Sequence, residues 1–310
     1  MRTGRASAVT DTGRRRPQNE DTFVCDPPLF AVADGVGGAQ AGEIASRLAA
    51  STLEERDPEA LGEGVLSELL EQANDRIYRH ARGDPAASGM GTVVTALLVD
   101  ELAGTVAIGH VGDSRAYRLR DGELAQLTPD HSLVGELVRA GKLSAAEAEH
   151  HPHRSVITRA VGTEPTVDVD TFTLPTVAGD LYLICSDGLT DIVRDEQIAE
   201  ILAAAGDDPD AAAEALVTAA NRAGGIDNIT VVLFEMLDGD PAPSSAAPVV
   251  LSEPDADTME QAVESSVVTI APEPPVQRHG AGSGGRWLAL VSITSTLAAA
   301  TLVVWWSLKR

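Results

Sequence analysis

The chain has 310 residues, is 44% hydrophobic but only 3% aromatic, and carries a formal net charge of −24 at pH 7. That length holds one large domain with appendages, or two domains, around a core of Val, Leu, Ile and Ala. The charge argues against binding nucleic acid or anionic lipid through bulk electrostatics, so an anionic substrate has to be held by local positive charge or by metal.

Residues 1–10 contain two arginines and no apolar run, which predicts that no secretory signal peptide is present. Short apolar runs predict strands over 6–10, 22–25 and 29–33. The spacing then predicts helices over 41–56 and 65–81, the second with Leu66, Leu69, Leu70, Ala73 and Ile77 on one face. Strands follow over 92–99, 105–110 and 114–119, and Asp121-Gly122 marks a hairpin. Pro129-Asp130-His131-Ser132 opens a helix, and Ser144 caps a further one over 145–150. Residues 129–165 fit no sheet and are expected to form a helical flap over one end of the domain. A strand over 179–185, helices over 196–204 and 211–223, and a strand over 229–235 complete the pattern. Blocks of strands and paired helices, without βαβ alternation, predict an α+β layered domain with mostly antiparallel sheets. Cys25 and Cys185 lie in strand-like runs and are expected to be buried small hydrophobes, since no Cys/His metal spacing or disulfide framework exists.

Composition changes after residue 237. Residues 238–285 are rich in Pro, Ser and Ala and hold eight acids against one base, Arg278, which predicts an extended, self-repelling linker ending in the flexible 280–285. Residues 287–308 carry no charge and match the roughly 20 residues that cross a bilayer, with Trp287 at one end and Trp305-Trp306 at the other. A transmembrane helix is therefore expected over 286–308, with a tail of 309–310. Lys309-Arg310 pulls the C-terminus inward, while Arg278 and Arg286 pull the other way. The missing signal peptide decides for a single-pass cell-membrane protein with its catalytic domain cytoplasmic.

Four acidic signals each flank an apolar strand-like stretch: Asp21, Asp34-Gly35, Asp187-Gly188 and Asp227-Asn228. Carboxylates at strand ends can converge on one sheet edge, where they repel one another unless a cation lies between them. An all-oxygen cluster suits Mg2+ or Mn2+ rather than zinc. These residues point to a metal-assisted hydrolase.

The motifs that surround them occur in a fixed order: Thr10-Asp11-Thr12-Gly13, then Arg16 and Asn19-Glu20-Asp21, then Ala33-Asp34-Gly35-Val36-Gly37-Gly38. Gly112-Asp113-Ser114-Arg115-Ala116, Ser186-Asp187-Gly188-Leu189 and Gly225-Ile226-Asp227-Asn228-Ile229-Thr230 complete the set. Over residues 5–237 the chain resembles the metal-dependent protein phosphatases of type 2C, the PPM family, in their bacterial serine/threonine form. The resemblance implies a four-layer α-β-β-α sandwich over residues 1–237 with two Mn2+ or Mg2+ ions in a cleft at one end, and a monomeric catalytic domain. It implies that Asp34 bridges both metals, that the Gly35 carbonyl binds one, and that Asp187 and Asp227 hold the other. Glu20 and Asp21 would line the site through water, and Asp113 would join Asp187 at a third, weaker metal. Arg16 would grip the substrate phosphate, for which its planar fork is suited, and Asn228 would steady the neighbouring carboxylate. Val36 stands where many eukaryotic relatives carry a histidine proposed as general acid, which leaves the proton donor unassigned.

The implied substrates are phosphoserine and phosphothreonine on proteins, including membrane serine/threonine kinases. Phosphorylated anti-sigma-factor antagonists are the alternative substrate, and a catalytically dead binding module of the same fold is the alternative class. That last reading would require a missing carboxylate or a missing Arg16, and none is missing. Ser114 and Arg115 are expected to be structural, His110 a core histidine, and the His150-His151-Pro152-His153 cluster a flap surface; His131 is either structural or a substrate contact.

Overall fold

Along β3 (Leu29–Val36), Leu29, Ala31 and Ala33 pack into one apolar cluster while Phe30 and Val32 pack into another. That period-2 division marks a strand buried on both faces. It recurs on β10 (Ile229–Leu237), where Ile229, Val231 and Leu233 face one way and Val232, Phe234 and Met236 the other. In the computed structural model, which describes residues 1–36, 41–148 and 150–239, such strands build two five-stranded sheets. One runs β1 (Arg2–Asp11), β10, β9 (Leu181–Cys185), β6 (Arg115–Arg120), β7 (Glu123–Gln126). The other runs β2 (Thr22–Asp26), β3, β4 (Gly91–Asp100), β5 (Thr105–Val111), β8 (Asp170–Pro175). Every pairing is antiparallel.

The inner faces meet in a core centred on Phe234, whose ring stacks on Phe30 at 4.0 Å and on Tyr182 at 5.0 Å between centroids. Helices α1 (Ala41–Glu54) and α2 (Glu63–Gly83) cover the outer face of the β3 sheet through Ala45, Leu53, Leu66, Leu70 and Ile77. Helices α6 (Asp195–Ala205) and α7 (Pro209–Ala223) cover the other through Ile198, Leu202 and Leu216. Alternation along the strands thus produces the expected four layers, helix on sheet on sheet on helix.

Between β7 and β8 lies the flap, with α3 (Leu133–Arg139) and the single turn α4 (Ala145–Ala148). Ser132 caps α3 by accepting the Gly135 N–H at 3.1 Å. Ser144 and Glu147 form a capping box, the Ser144 N–H donating to Glu147 Oε2 at 2.9 Å and the Glu147 N–H to Ser144 Oγ at 3.3 Å. Isolated bridges Ser132–Ile157 and Thr92–Val161 fasten the flap to itself and to β4.

Two elements differ from the sequence expectation. β8 was not anticipated, because its TFTLP stretch is half exposed at the sheet edge and lacks a continuous apolar run. The short helix α5 (Asp187–Thr190) follows β9 directly and is too brief to carry a helical period. Gly37-Gly38 of the Asp34 motif, the linker beyond residue 239, the transmembrane segment 286–308 and the tail lie outside the described residues. Among the described residues, no helix is long and apolar enough to cross a membrane.

Candidate active site

Antiparallel register brings the acidic signals to one end of the sandwich. Thr22, which follows Asp21, pairs with Ala33, which precedes Asp34. Ile229, after Asp227-Asn228, pairs with Asp11, and Val231 pairs with Cys185, two residues before Asp187. The turn between β5 and β6 adds Asp113 from the side.

The carboxylates repel one another. Burial pushes Asp34 well above the ordinary carboxylate range, and Asp21, Asp187, Asp113 and Asp227 push it further. Burial does the same to Asp187, reinforced by Asp113, Asp191, Asp227 and Asp21. Asp113 is raised to about 7 by burial and by Asp130 and Asp191. Asp21 is raised to about 6 by burial, against hydrogen bonds to its Oδ2 from Thr230 Oγ1 at 2.6 Å and Ser186 Oγ at 2.9 Å. Its other oxygen, Oδ1, is buried with no hydrogen-bond partner. Buried like charges and an orphaned carboxylate oxygen, all hard oxygen donors, fit divalent cations such as Mn2+ or Mg2+. Among the described residues, though, no three His, Cys, Asp or Glu side chains are drawn together tightly enough to cage a single ion. Strand register gathers the acids at one end, and their mutual repulsion opposes closing them on a single point without a cation.

Arg16 stands beside this cluster, half exposed, and its Nη2 donates to Asp227 Oδ2 at 2.6 Å. The loop that carries it is pinned to the loop before β10. The Arg14 N–H donates to Gly225 O at 2.7 Å. Gly13 adopts φ 79, and a Cβ there would lie 2.1 Å from Asp227 O, so only glycine permits the approach. Asn228 is the hinge pin of this arrangement. Its side-chain amide donates to Thr12 O at 3.0 Å and Gln18 O at 2.9 Å, and its Oδ1 accepts the Glu20 N–H at 2.8 Å. Asn228 was expected to steady the neighbouring carboxylate, and it contacts Asp227 through its backbone rather than its side chain. The backbone N–H reaches Asp227 Oδ1 at 2.9 Å, while the side chain holds the Arg16 loop.

Glu20 and Asp21 divide their roles. The Asp21 carboxylate faces the buried acids, while a Cβ on Gly42 would come within 2.6 Å of Glu20 Oε2, placing that carboxylate against the start of α1. Gly35 follows Asp34 within β3 and pairs with Thr92, whose hydroxyl donates to Asp34 O at 2.7 Å.

Sequence reasoning missed three participants. Asp191 lies four residues after Asp187, at the end of α5, and adds its charge to Asp113 and Asp187; the i, i+4 spacing was the available signal. Ser186 and Thr230 are buried hydroxyls that stand inside the quoted motifs, beside Asp187 and three residues after Asp227, where their contact with Asp21 carried no signal of its own. A cleft of about 810 Å3, lined by Asp113, Asp187, Asp191, Val134, Arg139 and Arg154 among others, opens between the flap and α5–α6.

The histidines sort as buried or surface groups. His110 is fully buried, pushed down to about 4 by burial, and its Nε2 faces Pro129 O at 3.0 Å. His131 is 1% exposed and engaged at both ring nitrogens, which removes it as a substrate contact. His150 and His153 are exposed on the flap. Both thiols are buried and free, and burial raises Cys25 to about 11 and Cys185 to about 12, so neither is a nucleophile. Ser114 is buried against Thr95 and Arg115 is paired with Asp130, both structural as expected.

The protein phosphatase 2C family profile matches residues 19–218. The serine/threonine phosphatase stp of Listeria monocytogenes is 39% identical over 238 residues, covering 73% of this chain and 93% of that protein. The serine/threonine protein phosphatase PstP of Mycobacterium tuberculosis is 41% identical over 245 residues, 76% of this chain and 46% of that protein. Among solved structures, that phosphatase superposes with a TM-score of 0.71 at 38% identity, covering 75% of this chain and 98% of that chain. A structure of the PstP catalytic domain in complex with two manganese ions superposes with a TM-score of 0.69 at 37% identity, covering 75% of this chain and 98% of that chain.

Proposed function

The chain belongs to the protein phosphatase 2C family, and on that premise we propose how its own residues carry out the reaction. It is a metal-dependent serine/threonine protein phosphatase. The observation that carries this reading is the convergence of Asp21, Asp34, Asp187 and Asp227 at one end of the sandwich, with Arg16 at the edge of the cluster.

Asp34, the Gly35 carbonyl, Asp187 and Asp227 are the groups that would hold two Mn2+ or Mg2+ ions, with Asp21 and Glu20 lining the site and Asp113 serving a third, weaker position. Bound there, the ions supply Lewis acidity that activates water and neutralises phosphoryl charge. Arg16 offers its remaining N–H groups to the phosphate oxygens, because one edge of the guanidinium stays exposed while Asp227 orients the other. Water attacks phosphorus in line, and the serine or threonine oxygen leaves with a proton, giving the free hydroxyl and inorganic phosphate. Ser186 and Thr230 hold the Asp21 carboxylate in place, and Asn228 holds the Arg16 loop. No side chain is needed as a covalent nucleophile.

The substrates in this reading are phosphoproteins, including membrane-bound serine/threonine kinases. Residues 286–308 anchor the enzyme as a single-pass protein with its catalytic domain in the cytoplasm, and the uncharged run bounded by tryptophans supports the span. The deciding experiment is hydrolysis of a phosphothreonine peptide by the full chain with Mn2+. Turnover that stops with EDTA is expected, and turnover indifferent to EDTA would overturn the mechanism.

A further inference from the structure

Asp113 occupies the turn Gly112-Asp113-Ser114-Arg115, and the first residues of the flap grip that turn on both sides of it. On one side the His131 N–H donates to Gly112 O at 2.7 Å, and the Gly112 N–H donates back to His131 Nδ1 at 3.0 Å. On the other side Arg115 donates from Nε and Nη2 to both oxygens of Asp130, at 2.8 and 2.7 Å. Because Nδ1 accepts, the proton of neutral His131 sits on Nε2 and donates to Asp170 Oδ2 at 3.1 Å. Asp170 is held in turn by Arg159 Nη1 at 2.6 Å, and His131 O accepts the Thr158 N–H at 2.7 Å. Behind the turn, Gly112 adopts φ 116, and a Cβ there would lie 2.1 Å from the Cβ of Val93. The turn is pressed on β4 from one side and clamped by the flap base from the other.

We propose that His131 is a positioning residue for Asp113: by fastening Gly112 through Nδ1, it sets where the Asp113 carboxylate stands and couples that carboxylate to the base of the flap. The proposal rests on the reading of Asp113 as a ligand of the third, weakest metal. Supporting groups of this kind commonly change metal affinity by about 10–100-fold when removed. The physical reason is that a carboxylate on a loosened turn must be ordered at the moment of binding.

Two near-isosteric variants separate positioning from general structural support. His131→Asn places an amide where Nδ1 lies and keeps an acceptor for Gly112, while losing Asp170. His131→Gln places its amide where Nε2 lies, keeps Asp170 and abandons Gly112. Mn2+ binding to the full chain, followed by titration calorimetry, and kcat and KM on a phosphothreonine peptide are the readouts, with thermal melting as a check of folding. The expected result is that H131Q weakens the weakest Mn2+ phase by about 10–100-fold while H131N stays near the parent. In an Asp113→Asn background, which lacks that phase, H131Q should add no further loss of kcat. A folded H131Q with an unaltered weak phase, an H131N that loses it instead, or additive losses in the double variant would each overturn the proposal. If D113N alone leaves the Mn2+ isotherm unchanged, the ligand reading of Asp113 has failed, and the proposal fails with it by a separate and recognisable route.

Discussion

Arg16 Nη2 and Asp227 Oδ2 meet at 2.6 Å across 211 residues of chain, joining the loop after β1 to the loop before β10. One oxygen of Asp227 holds the guanidinium and the other accepts the Asn228 N–H. The proposed phosphate-binding cation and an expected metal ligand are therefore oriented by each other, and a planar donor suits that double task better than a point charge.

Replacing Arg16 tests this pairing. R16A is expected to lower kcat/KM on a phosphothreonine peptide by about 100–1,000-fold, the range seen when one transition-state donor is removed. R16K should recover only part, since it keeps the charge and loses the fork. Steady-state kinetics at saturating Mn2+ decide the matter, and an R16A enzyme with parental constants would show that Arg16 does not touch phosphate.

Asp187→Asn should be folded and inactive. The substitution also relieves the repulsion among Asp187, Asp113, Asp191 and Asp227, so the metal-free variant should melt no lower than the metal-free parent. Mn2+ should raise the melting temperature of the parent more than that of the variant, because an ion that binds only the folded state stabilises it by mass action. Retained turnover in D187N would remove Asp187 from the ligand set.

Asn228→Ala strips the Thr12 and Gln18 carbonyls and the Glu20 N–H of their shared partner. Buried polar groups left unpaired cost about 1–3 kcal/mol each. A fall in urea midpoint is expected together with a rise in KM, because the same loop carries Arg16. A destabilised variant with unchanged KM would separate the loop from phosphate binding.

Asp180 is fully buried beneath Arg120, which reaches its two oxygens at 2.5 and 2.6 Å. Burial alone would raise its pKa, but the bonds from Arg120, the Val177 N–H and the Thr176 hydroxyl outweigh it and hold the carboxyl below its ordinary value. A group depressed in this way contributes stability above its unfolded pKa, about 3.9, and loses it as pH falls through the folded value. Arg120→Met should cost about 3–5 kcal/mol at pH 7 by leaving a buried charge unpaired. The loss should shrink near pH 4, where Asp180 can take up a proton. Urea unfolding at both pH values checks this, and a loss equal at the two would contradict the pairing.

A fluorescent-protein fusion of the full chain should fractionate with membranes, and deletion of 286–308 should release it. A full-length fusion recovered in the soluble fraction would remove the anchor from the reading.

Much of the fold was readable because its signals are local. Alternation along β3, β9 and β10 and the one-sided stripe on α2 are periodic within a dozen residues, so they predict buried strands and a covering helix. β8 escaped because an edge strand needs no continuous apolar face. The motif order identified the family, since five short patterns in sequence are far rarer than any one Asp-Gly turn.

The sequence by itself determined the layered class and pointed to Asp21, Asp34, Asp187, Asp227 and Arg16, because residue type and spacing carry those properties. Only the tertiary structure decided which partners those residues meet. Asn228 spends its side chain on the Arg16 loop, Asp21 leans on Ser186 and Thr230, and His131 turns inward to Gly112. Such contacts join positions up to 216 residues apart, and they follow from strand register and the close approach of loops, which no local pattern encodes.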